Sequence, residues 1–399
     1  MDLERPRRIR LTCARELAPA LCAELDALGY APSRVPASTA VELEGTLADC
    51  MRLNLHLRTA FSVQLRLAAF PCPNPDALYA AVRELEWESL VPRRGYLSVV
   101  SRASTPSVDN SMYPSLRVKD AVCDRLRERW GERPNAGPRR DRTVLFLLWQ
   151  GQRAELYLDT SGRKLSDRGY RQQSVAAPMR ETLAAAVLAA AGYVGERPLV
   201  NPMCGSGTLA IEAALLATRR APGLLRSNYG FQHVQGFDAE AWRALRAEAR
   251  RAIRPAPAPI VATDHDARAL AAARANARTA GVERWIRFER CDFAESPVPS
   301  GPGVVVLNPP YGKRLGAQEE LGALYGRIGD FLKQRCAGYT GHVFTADLAL
   351  AKRVGLRSMR RTAFHNGELE CRLLSYELYA GSRKRRASAG EEAPSPEEP

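Results

Sequence analysis

Strand-like apolar runs alternate with helix-like segments through residues 166–380, and this alternation limits the fold more than any other feature of the sequence. The strand-like runs are RPLVNPM, APIVATD, WIRFERCDF, GVVVLNPPY and GHVFTAD. Near-continuous apolar strands joined by helices are typical of a parallel sheet that is covered on both faces. The segment SMRRTAFHNGELECRLLSYELY predicts a terminal hairpin. We therefore expect an α/β domain whose ligands bind beyond the carboxyl ends of its strands.

Two smaller regions precede this domain. Residues 1–59 have the order strand, helix, strand, helix, which predicts a small α+β unit. Residues 60–165 mix strands and amphipathic helices, and TVLFLLWQGQRAELYLDTSG predicts two strands around a tight turn at Gly151. The basic loop GERPNAGPRRDR in this second region fits either a solvated surface or an RNA-binding surface. The tail, residues 381–399, lacks core-forming residues and is predicted to be disordered.

The chain is strongly basic, with a formal net charge of +14, and only six of its 58 basic residues are lysines. A positive field of this size favours a polyanionic partner, although a merely basic enzyme fits the charge equally well. The nine cysteines and five histidines show no spacing typical of a disulfide framework or a zinc site. The amino terminus lacks the apolar core of a signal peptide, and the run from Leu183 to Gly192 is too short to span a bilayer. We expect a soluble, cytoplasmic protein without a metal and take a monomer as its working state.

The first strand end carries a glycine-containing turn, VNPMCGSGT, that leads into a helix. Gly205 and Gly207 allow the backbone to turn tightly and to approach a ligand closely. The free N–H groups of the following helix terminus suit a polar ligand. The pattern is neither a dinucleotide fingerprint nor a P-loop, so by itself it also fits an ordinary strand-to-helix turn.

Acidic residues follow the next two strands. Asp264 stands where a carboxylate in a nucleotide-binding sheet accepts hydrogen bonds from both ribose hydroxyls. Asp266 lies beside it, and it also suits the N-cap of the next helix. After the third strand, Asp292 is placed to accept from an adenine amine and Phe293 to lie against the ring. Three consecutive strand ends with ligand-appropriate chemistry favour a nucleotide-like cofactor.

The fourth strand ends abruptly at Asn308, Pro309, Pro310 and Tyr311. Proline donates no backbone hydrogen bond, so two prolines stop a central strand. The Asn308 side-chain oxygen and the Pro309 carbonyl are acceptors that suit one planar –NH2 group. Holding that nitrogen against an electrophile would promote transfer to it. Tyr311 is suited to stacking on a base, so this turn predicts a loop that grips an amine.

The motifs NPMCGSGT, ATDHD, RCDF and LNPPY, in this order, resemble those of class I S-adenosylmethionine-dependent methyltransferases that modify exocyclic amines. Upstream, LDTSGRKLSDRGYRQQSVAAPMRETLAAAVL resembles the junction of a THUMP RNA-binding domain with such a domain, and VDNSMYPSLRVKDAVCDRL resembles the THUMP interior. The resemblance covers nearly the whole chain except the tail. It is greatest to the THUMP-containing guanine-N2 methyltransferases of bacterial large-subunit rRNA. It implies a ferredoxin-like unit over residues 1–59, a THUMP domain over 60–165 and a Rossmann-like, seven-stranded class I methyltransferase domain over 166–380.

The same resemblance implies the cofactor, S-adenosyl-L-methionine with S-adenosyl-L-homocysteine as product, and a role for individual residues. The implied catalytic motif is Asn308 to Tyr311. The implied cofactor-binding residues are Asn201, Pro202, Cys204, Gly205, Ser206, Gly207, Thr208, Asp264, Asp266, Asp292, Phe293, Met179 and Glu181.

Two features depart from the family. Its cofactor loop usually begins with aspartate, whereas this chain has Asn201, which keeps an acceptor and loses the charge. If that carboxylate pairs with the cofactor's ammonium, we expect weaker cofactor binding here. Some bacterial relatives carry a second methyltransferase domain after the first, and because this chain ends in its tail we expect that second activity to be absent.

The resulting hypothesis is methylation of the N2 amine of a guanosine in RNA, with 23S rRNA or a ribosomal precursor as the partner. Transfer RNA is the main alternative substrate, because THUMP domains also occur in tRNA enzymes. The same N-P-P-Y loop serves adenine-N6 and protein glutamine methylation, but the THUMP-like region disfavours DNA and protein substrates. A non-catalytic RNA-binding or ribosome assembly factor with a decayed cofactor site is a further alternative, and Asn201 is the feature that favours it.

Overall fold

The chain forms two units, which a computed structural model describes over residues 1–37, 39–173, 179–311 and 318–380. The first unit comprises Met1–Gln172, Met179–Ala186 and Thr218–Pro255. The second comprises Gln173, Val187–Ala217 and the described residues from Ala256 onward. The predicted disordered tail lies outside the described residues.

An eight-stranded sheet organises the first unit. Its strands are β1 (Arg7–Cys13), β2 (Arg34–Ala37), β3 (Ala40–Gly45), β4 (Ala60–Pro71), β5 (Tyr96–Ser104), β6 (Asn135–Ala136), β7 (Thr143–Gln150) and β8 (Arg153–Asp159). The spatial order is β2-β3-β1-β4-β8-β7-β5-β6, with β5 parallel to β6 and β7 and the other pairs antiparallel. Strand β4 pairs with β1 on one side and β8 on the other, so residues 1–59 and 60–165 contribute to one sheet. The hairpin predicted at Gly151 is confirmed, and Gly151 has a φ of 56°.

Ten α-helices occur among the described residues. They are α1 (Ala18–Ala27), α2 (Leu47–His56), α3 (Pro75–Arg83), α4 (Tyr113–Trp130), α5 (Glu181–Ala190), α6 (Thr208–Ala217), α7 (Ala239–Arg251), α8 (Ala267–Ala280), α9 (Gln318–Arg335) and α10 (Leu348–Arg353). Local chemistry accounts for several helix ends. Thr46 and Asp49 form a capping box at the start of α2, and Asn74 caps α3 ahead of a proline. Gly131 ends α4 in the left-handed region, which glycine adopts without a Cβ penalty.

The second unit contains the predicted seven-stranded Rossmann-like sheet, which is thereby confirmed. Its strands are β9 (Leu199–Pro202), β10 (Ile260–Asp264), β11 (Ile286–Arg290), β12 (Val304–Leu307), β13 (Thr340–Thr345), β14 (Arg360–Asn366) and β15 (Leu369–Glu377). The order is β11-β10-β9-β12-β13-β15-β14. The first five are parallel, and the terminal hairpin β14–β15 adds two antiparallel strands.

The order of the parallel strands reverses at β9. The chain runs from β9 outward to β10 and β11, then returns to place β12 on the other side of β9. Ligands of open parallel sheets bind in the crevice beyond the carboxyl ends of the strands at such a reversal. The buried residues of β9 and β12 and the apolar faces of α6, α8 and α9 make the surrounding core rigid.

Two structural findings concern membranes and metals. Among the described residues, no helix combines the length and apolarity needed to cross a bilayer. The described part of the chain also contains no group of three or more histidine, cysteine, aspartate or glutamate side chains arranged to hold a metal ion. All nine cysteines are free thiols.

Candidate active site at the carboxyl ends of the central strands

The glycine turn after β9 has an unusual backbone conformation. Met203 has a φ of 54°, which is uncommon for a residue with a side chain, and Gly205 and Gly207 have φ values of 55° and 82°. The Cys204 N–H donates to the Thr263 carbonyl at 2.9 Å, and the Gly207 N–H donates to the Cys204 carbonyl at 2.9 Å. The turn is therefore fixed against β10 as α6 begins at Thr208.

Gly207 is required at its position for a second reason. A Cβ built there would lie 2.9 Å from the Cβ of Ala273 on α8, closer than carbon atoms approach. The missing side chain lets the turn pack against this helix. Of the other predicted loop residues, Pro202, Cys204, Ser206 and Thr208 are all buried. Burial also raises the pKa of the Cys204 thiol, so it stays protonated near neutral pH.

Asp264, at the end of β10, ties the glycine turn to the neighbouring strand. Its Oδ2 accepts from the Gly205 N–H at 2.9 Å and its Oδ1 accepts from the Asp266 N–H at 3.0 Å. Each carboxylate oxygen offers two acceptor positions, so the group retains capacity for ribose hydroxyls. Asp266 caps α8 by accepting from the Arg268 N–H at 2.8 Å. The structure thus gives Asp266 the helix-capping position that the sequence also allowed.

Asn201 is 1% exposed and connects β9 to β12 through its side chain. Its Nδ2 donates to the Val306 carbonyl at 2.9 Å, beyond the last backbone pairing of the two strands. Its Oδ1 is buried and has no hydrogen-bond partner in the described part of the chain. The amide therefore serves as a donor that an aspartate could not replace while ionised.

Asn308 follows β12 directly and carries a second unpartnered acceptor. Its Oδ1 is buried and receives no hydrogen bond from the described residues. The next carbonyl, that of Pro309, likewise receives no donor within the described ranges. The Pro310 carbonyl accepts from the Tyr325 hydroxyl of α9 at 3.4 Å, and Tyr325 bonds to Thr345 at 2.8 Å. The hydrogen bond from α9 fixes the proline turn, and the two acceptors, Asn308 Oδ1 and the Pro309 carbonyl, receive no donor from the part of the chain that the structure describes.

Tyr311 is anchored by the terminal hairpin. Its hydroxyl accepts from Asn366 Nδ2 at 3.1 Å, and the Cys371 thiol lies 3.9 Å away as a weak donor. Its ring packs edge-on to Phe344, with centroids 6.3 Å apart. Burial raises the pKa of Tyr311 to about 12, so the phenol remains neutral at physiological pH and does not serve there as a base. Sequence reasoning missed Asn366 and Cys371, because they lie on strands remote from the motif.

Asp292 follows β11 and forms an ion pair that the sequence did not predict. Its Oδ1 accepts from Arg327 Nη2 at 2.8 Å and from the Ala294 N–H at 2.9 Å. Although partial burial acts to raise it, these hydrogen bonds hold the pKa of the Asp292 carboxyl below its usual value. Phe293 is 5% exposed, with the Arg327 guanidinium 4.9 Å from its ring centroid. Asp292 stays available through its second oxygen, while Phe293 packs in the core.

A further residue that the sequence did not indicate is Asn276 of α8, which is 1% exposed. Its Nδ2 donates to the Gln173 carbonyl at 2.9 Å and to the Ser206 carbonyl at 3.2 Å, and its Oδ1 accepts from the Gln173 N–H at 3.1 Å. One side chain therefore fixes Gln173 to the glycine turn.

Met179 and Glu181 belong to the first unit, where Arg171 Nη2 lies 2.9 Å from Glu181 Oε1 and donates to the Met179 carbonyl at 2.8 Å.

The described residues fit the expected cofactor. The turn at Gly205 and Gly207 brings backbone close to a ligand, and Asp264 offers a carboxylate beside it. The buried Oδ1 atoms of Asn201 and Asn308 are acceptors without donors. A buried acceptor without a hydrogen-bond partner costs about 1–3 kcal/mol of stability. A ligand that donates hydrogen bonds to these atoms would recover that cost.

Models of known protein families match three successive parts of the chain. A model described as RMKL-like, methyltransferase domain, matches residues 168–375. A model of the RlmL ferredoxin-like domain matches residues 8–64, and a THUMP domain model matches residues 72–159.

Individual relatives extend the similarity to nearly the whole chain. The ribosomal RNA large subunit methyltransferase K/L of Syntrophotalea carbinolica is 41% identical over 94% of this chain, which spans 54% of that protein, about half its length. A Synechocystis protein provisionally named an RNA methyltransferase is 36% identical over 92% of this chain and 96% of its own length. The crystal structure of SMU.472, a provisionally assigned methyltransferase in complex with S-adenosylhomocysteine, superposes with a TM-score of 0.84 at 25% identity, covering 96% of this chain and 100% of that one.

Proposed function

This chain belongs to the RMKL-like methyltransferase family, and we propose that it transfers a methyl group from S-adenosylmethionine to the N2 amine of a guanosine in 23S rRNA. The family assignment rests on a match over more than half of the chain and on a relative of nearly the same length.

The observation that carries this proposal is the pair of acceptors after β12. Asn308 Oδ1 is buried without a partner, and the adjacent Pro309 carbonyl receives no donor among the described residues. A primary amine on a planar base offers two N–H donors to such a pair. The site thus suits an exocyclic amine and is poorly suited to a carbonyl oxygen or a ring carbon.

The protein's contribution to the reaction is orientation and electrostatic stabilisation. When bound, S-adenosylmethionine supplies an electrophilic methyl group. The two acceptors at Asn308 and Pro309 draw the hydrogens of the amine into the plane that they define. This orientation draws the nitrogen lone pair out of conjugation with the ring, which makes the nitrogen a better nucleophile. The same oxygens stabilise the positive charge that develops on the nitrogen. The proton lost from the methylated nitrogen passes to solvent.

Two features keep this geometry fixed. The prolines restrict the backbone, and Tyr325 holds the Pro310 carbonyl from α9. Asn366 holds the hydroxyl of Tyr311, whose ring we assign to stacking on the guanine. A base inside an RNA stem cannot reach such a turn, so the target nucleotide must lie in a loop or be flipped out.

Support for an RNA substrate comes from the first unit and from the relatives. The THUMP match, residues 72–159, lies within the first unit, and the chain as a whole is strongly basic. The Syntrophotalea relative is named for methylation of large-subunit ribosomal RNA, which favours 23S rRNA over tRNA for this chain.

The test is transfer of labelled methyl from S-adenosylmethionine to deproteinised rRNA, to tRNA and to large ribosomal subunits from a strain that lacks the gene. Nucleoside mass spectrometry then identifies the product. We expect N2-methylguanosine in the large-subunit RNA. Replacing Asn308 by alanine should lower kcat by roughly 10²–10³-fold, as removal of one preorganised partner commonly does. Calorimetry should show that the variant still binds S-adenosylmethionine.

A matched pair at Tyr311 separates stacking from the anchoring hydrogen bond. Tyr311→Phe keeps the ring and should retain most activity, whereas Tyr311→Ala should lose it.

Label found only in tRNA would move the proposal to that substrate. Label in N6-methyladenosine, or none in any of the three pools, would contradict it.

A further inference from the structure

A cavity of about 720 Å³ opens at the edge of the eight-stranded sheet in the first unit. It lies where the two-residue strand β6 pairs with the start of β5, and its walls include Tyr96, Asn135 and His233 together with the arginines at positions 94, 139 and 142. Its size falls within the range of about 300–1,000 Å³ that is typical of small-ligand sites. The basic loop that the sequence left open between two interpretations forms one of its walls.

The three arginines of this cavity have no ion-pair partner among the described residues. Arg94, Arg139 and Arg142 are all exposed. No aspartate or glutamate of the described chain lines the cavity. By contrast, the preceding residue Arg93 is bound to Glu132 at 3.1 Å and to the Trp130 carbonyl at 3.0 Å. Three unpaired guanidinium groups around one concavity attract an anion strongly.

The walls of the cavity are held in place. The Arg139 guanidinium lies 4.4 Å from the ring centroid of Tyr96, and the Arg139 N–H donates to the Tyr96 hydroxyl at 3.3 Å. A Cβ on Gly137 would lie 2.3 Å from that hydroxyl, so the missing side chain lets the ring pack against the loop. The cavity therefore has a fixed aromatic wall.

His233 orients the third arginine. Its Nε2 lies 2.6 Å from Asn228 Oδ1 and its Nδ1 lies 3.4 Å from Arg142 Nη1. Burial and the neighbouring Arg142 lower the pKa of His233, so the ring is neutral, donates from Nε2 and accepts at Nδ1. Arg142 and His233 also line an adjacent cavity of about 580 Å³, so the basic surface continues beyond the first cavity.

The adjacent cavity differs in its electrostatics. Asp141 and Asp167 line it, and the guanidinium of Arg226 there is bound to backbone carbonyls, including those of Ser161 and Lys164. Arg226 is thus committed to the fold, and the two acids offset part of the charge of the other arginines there, Arg142 among them. The first cavity has the larger excess of positive charge, with three arginines and no acid among its lining residues.

We propose that this cavity is a second RNA site, which holds one nucleotide of a single-stranded segment with its phosphate among Arg94, Arg139 and Arg142. The inference rests on the proposed function for one point, that the polyanion is RNA. It adds an anchoring contact that lies within the first unit. A duplex presents a convex surface of phosphates, whereas an unstacked nucleotide fits a concavity with an aromatic wall. The exposed amide of Asn135 is positioned to contact the base or the 2′-hydroxyl.

The test uses the full chain and a short 5′-fluorescein-labelled oligouridylate, with binding followed by anisotropy over a salt series. Each single change, Arg94→Ala, Arg139→Ala or Arg142→Ala, should weaken binding severalfold. The triple variant should reduce the slope of log K against log salt by roughly 0.7, because the three arginines hold one phosphate and each phosphate contact on a single strand contributes about 0.7. Arg93→Ala is the matched control, since it removes the same charge from the neighbouring position and should change the affinity less than twofold.

Photo-cross-linking of a 4-thiouridine oligonucleotide to the wild-type chain gives a readout that does not depend on variants. We expect the cross-link within residues 92–96 or 135–142. If the wild type methylates rRNA while the triple variant binds the oligouridylate like the wild type, this inference is wrong and the proposed function stands. Equal weakening by Arg93→Ala would also overturn it, because a general charge effect would then suffice. If the wild type binds no RNA at all, both proposals fail.

Discussion

Replacing Asn201 by aspartate would introduce the acid that the resembling family carries, and we expect the change to destabilise this protein. The Asn201 side chain is almost fully buried, and its Nδ2 donates to the Val306 carbonyl at 2.9 Å. An ionised aspartate places an oxygen against that carbonyl in place of a donor. Losing the hydrogen bond and leaving the carbonyl unsatisfied costs about 1–3 kcal/mol.

The cost should depend on pH, and its sign follows from burial. The folded-state pKa of the new carboxyl lies above the value of about 3.9 expected in an unfolded chain, because burial disfavours the charged form. Below the unfolded-state pKa the acid is protonated and still donates to Val306, so the penalty for burying a charge is absent there. This penalty grows as the pH rises and is complete above the folded-state pKa. A shift of about two units would contribute about 2.7 kcal/mol, since each unit is worth about 1.36 kcal/mol.

Thermal unfolding of the wild type and of Asn201→Asp between about pH 5 and about pH 8 measures this dependence. A loss of this size should lower Tm by roughly 5–11 °C at the higher pH, at about 2–4 °C per kcal/mol for a unit of this length. Asn201→Ala is the control, because it removes the donor without adding a charge and its effect should not vary with pH. If Asn201→Asp matches the wild type at the higher pH, the amide does not serve as a donor to Val306 and the reasoning is refuted.

Three further predictions concern other positions. Gly207→Ala should weaken S-adenosylmethionine binding more than tenfold by calorimetry, because its Cβ would meet α8 at 2.9 Å; Gly301→Ala, where φ is also positive but nothing lies within 4 Å, separates backbone strain from the clash. Asp159→Asn should flatten the pH dependence of the free energy of unfolding, because burial raises the pKa of Asp159 to about 7. As the pH rises from the pKa of an unfolded aspartate through 7, the wild type loses up to about 4 kcal/mol of stability that the variant does not lose, and urea unfolding at two pH values checks this. Asn366→Ala removes the same hydrogen bond as Tyr311→Phe, so it should leave the cofactor Kd unchanged and, measured by kcat/KM for RNA, retain most of the activity because the ring of Tyr311 is kept.

The strand ends were predictable because their signals are local. Four apolar runs stop at glycine, aspartate or proline; the structure ends β9 and β10 within one residue of the ends of their predicted runs, and it ends β11 and β12 three and four residues earlier. The hairpins at Gly151 and at the carboxyl end of the sheet follow from turn residues between alternating runs. Helix α7 was absent from the predicted elements although Asp238 caps it and its tryptophan and alanines recur at helical spacing, so that signal was present and missed.

The partners of the site residues were not predictable from one sequence. Arg327 lies 35 residues from Asp292, and Asn276 lies 103 residues from Gln173. Nothing in the local pattern of either residue distinguishes it from an exposed polar residue of a helix. Strand β5 was also missed, because its burial does not alternate regularly and its serines and arginine weaken the apolar signal. Such contacts depend on the tertiary arrangement, which local propensity does not encode.

The structure also bears on the alternative of a decayed, non-catalytic site, which rested on Asn201 alone. Within the described chain, several buried polar atoms lack partners, so an orphaned acceptor by itself indicates little. Asn201 and Asn308 differ from the others because Asn201 lies near the carboxyl end of β9 and Asn308 directly follows β12, at the point where the sheet reverses and such folds bind ligands. A decayed site has no reason to keep two buried acceptors that together cost about 2–6 kcal/mol when apolar side chains would remove the cost. Since the amide of Asn201 supports Val306 on the strand that presents Asn308, its departure from aspartate has a structural cause and no longer argues against catalysis.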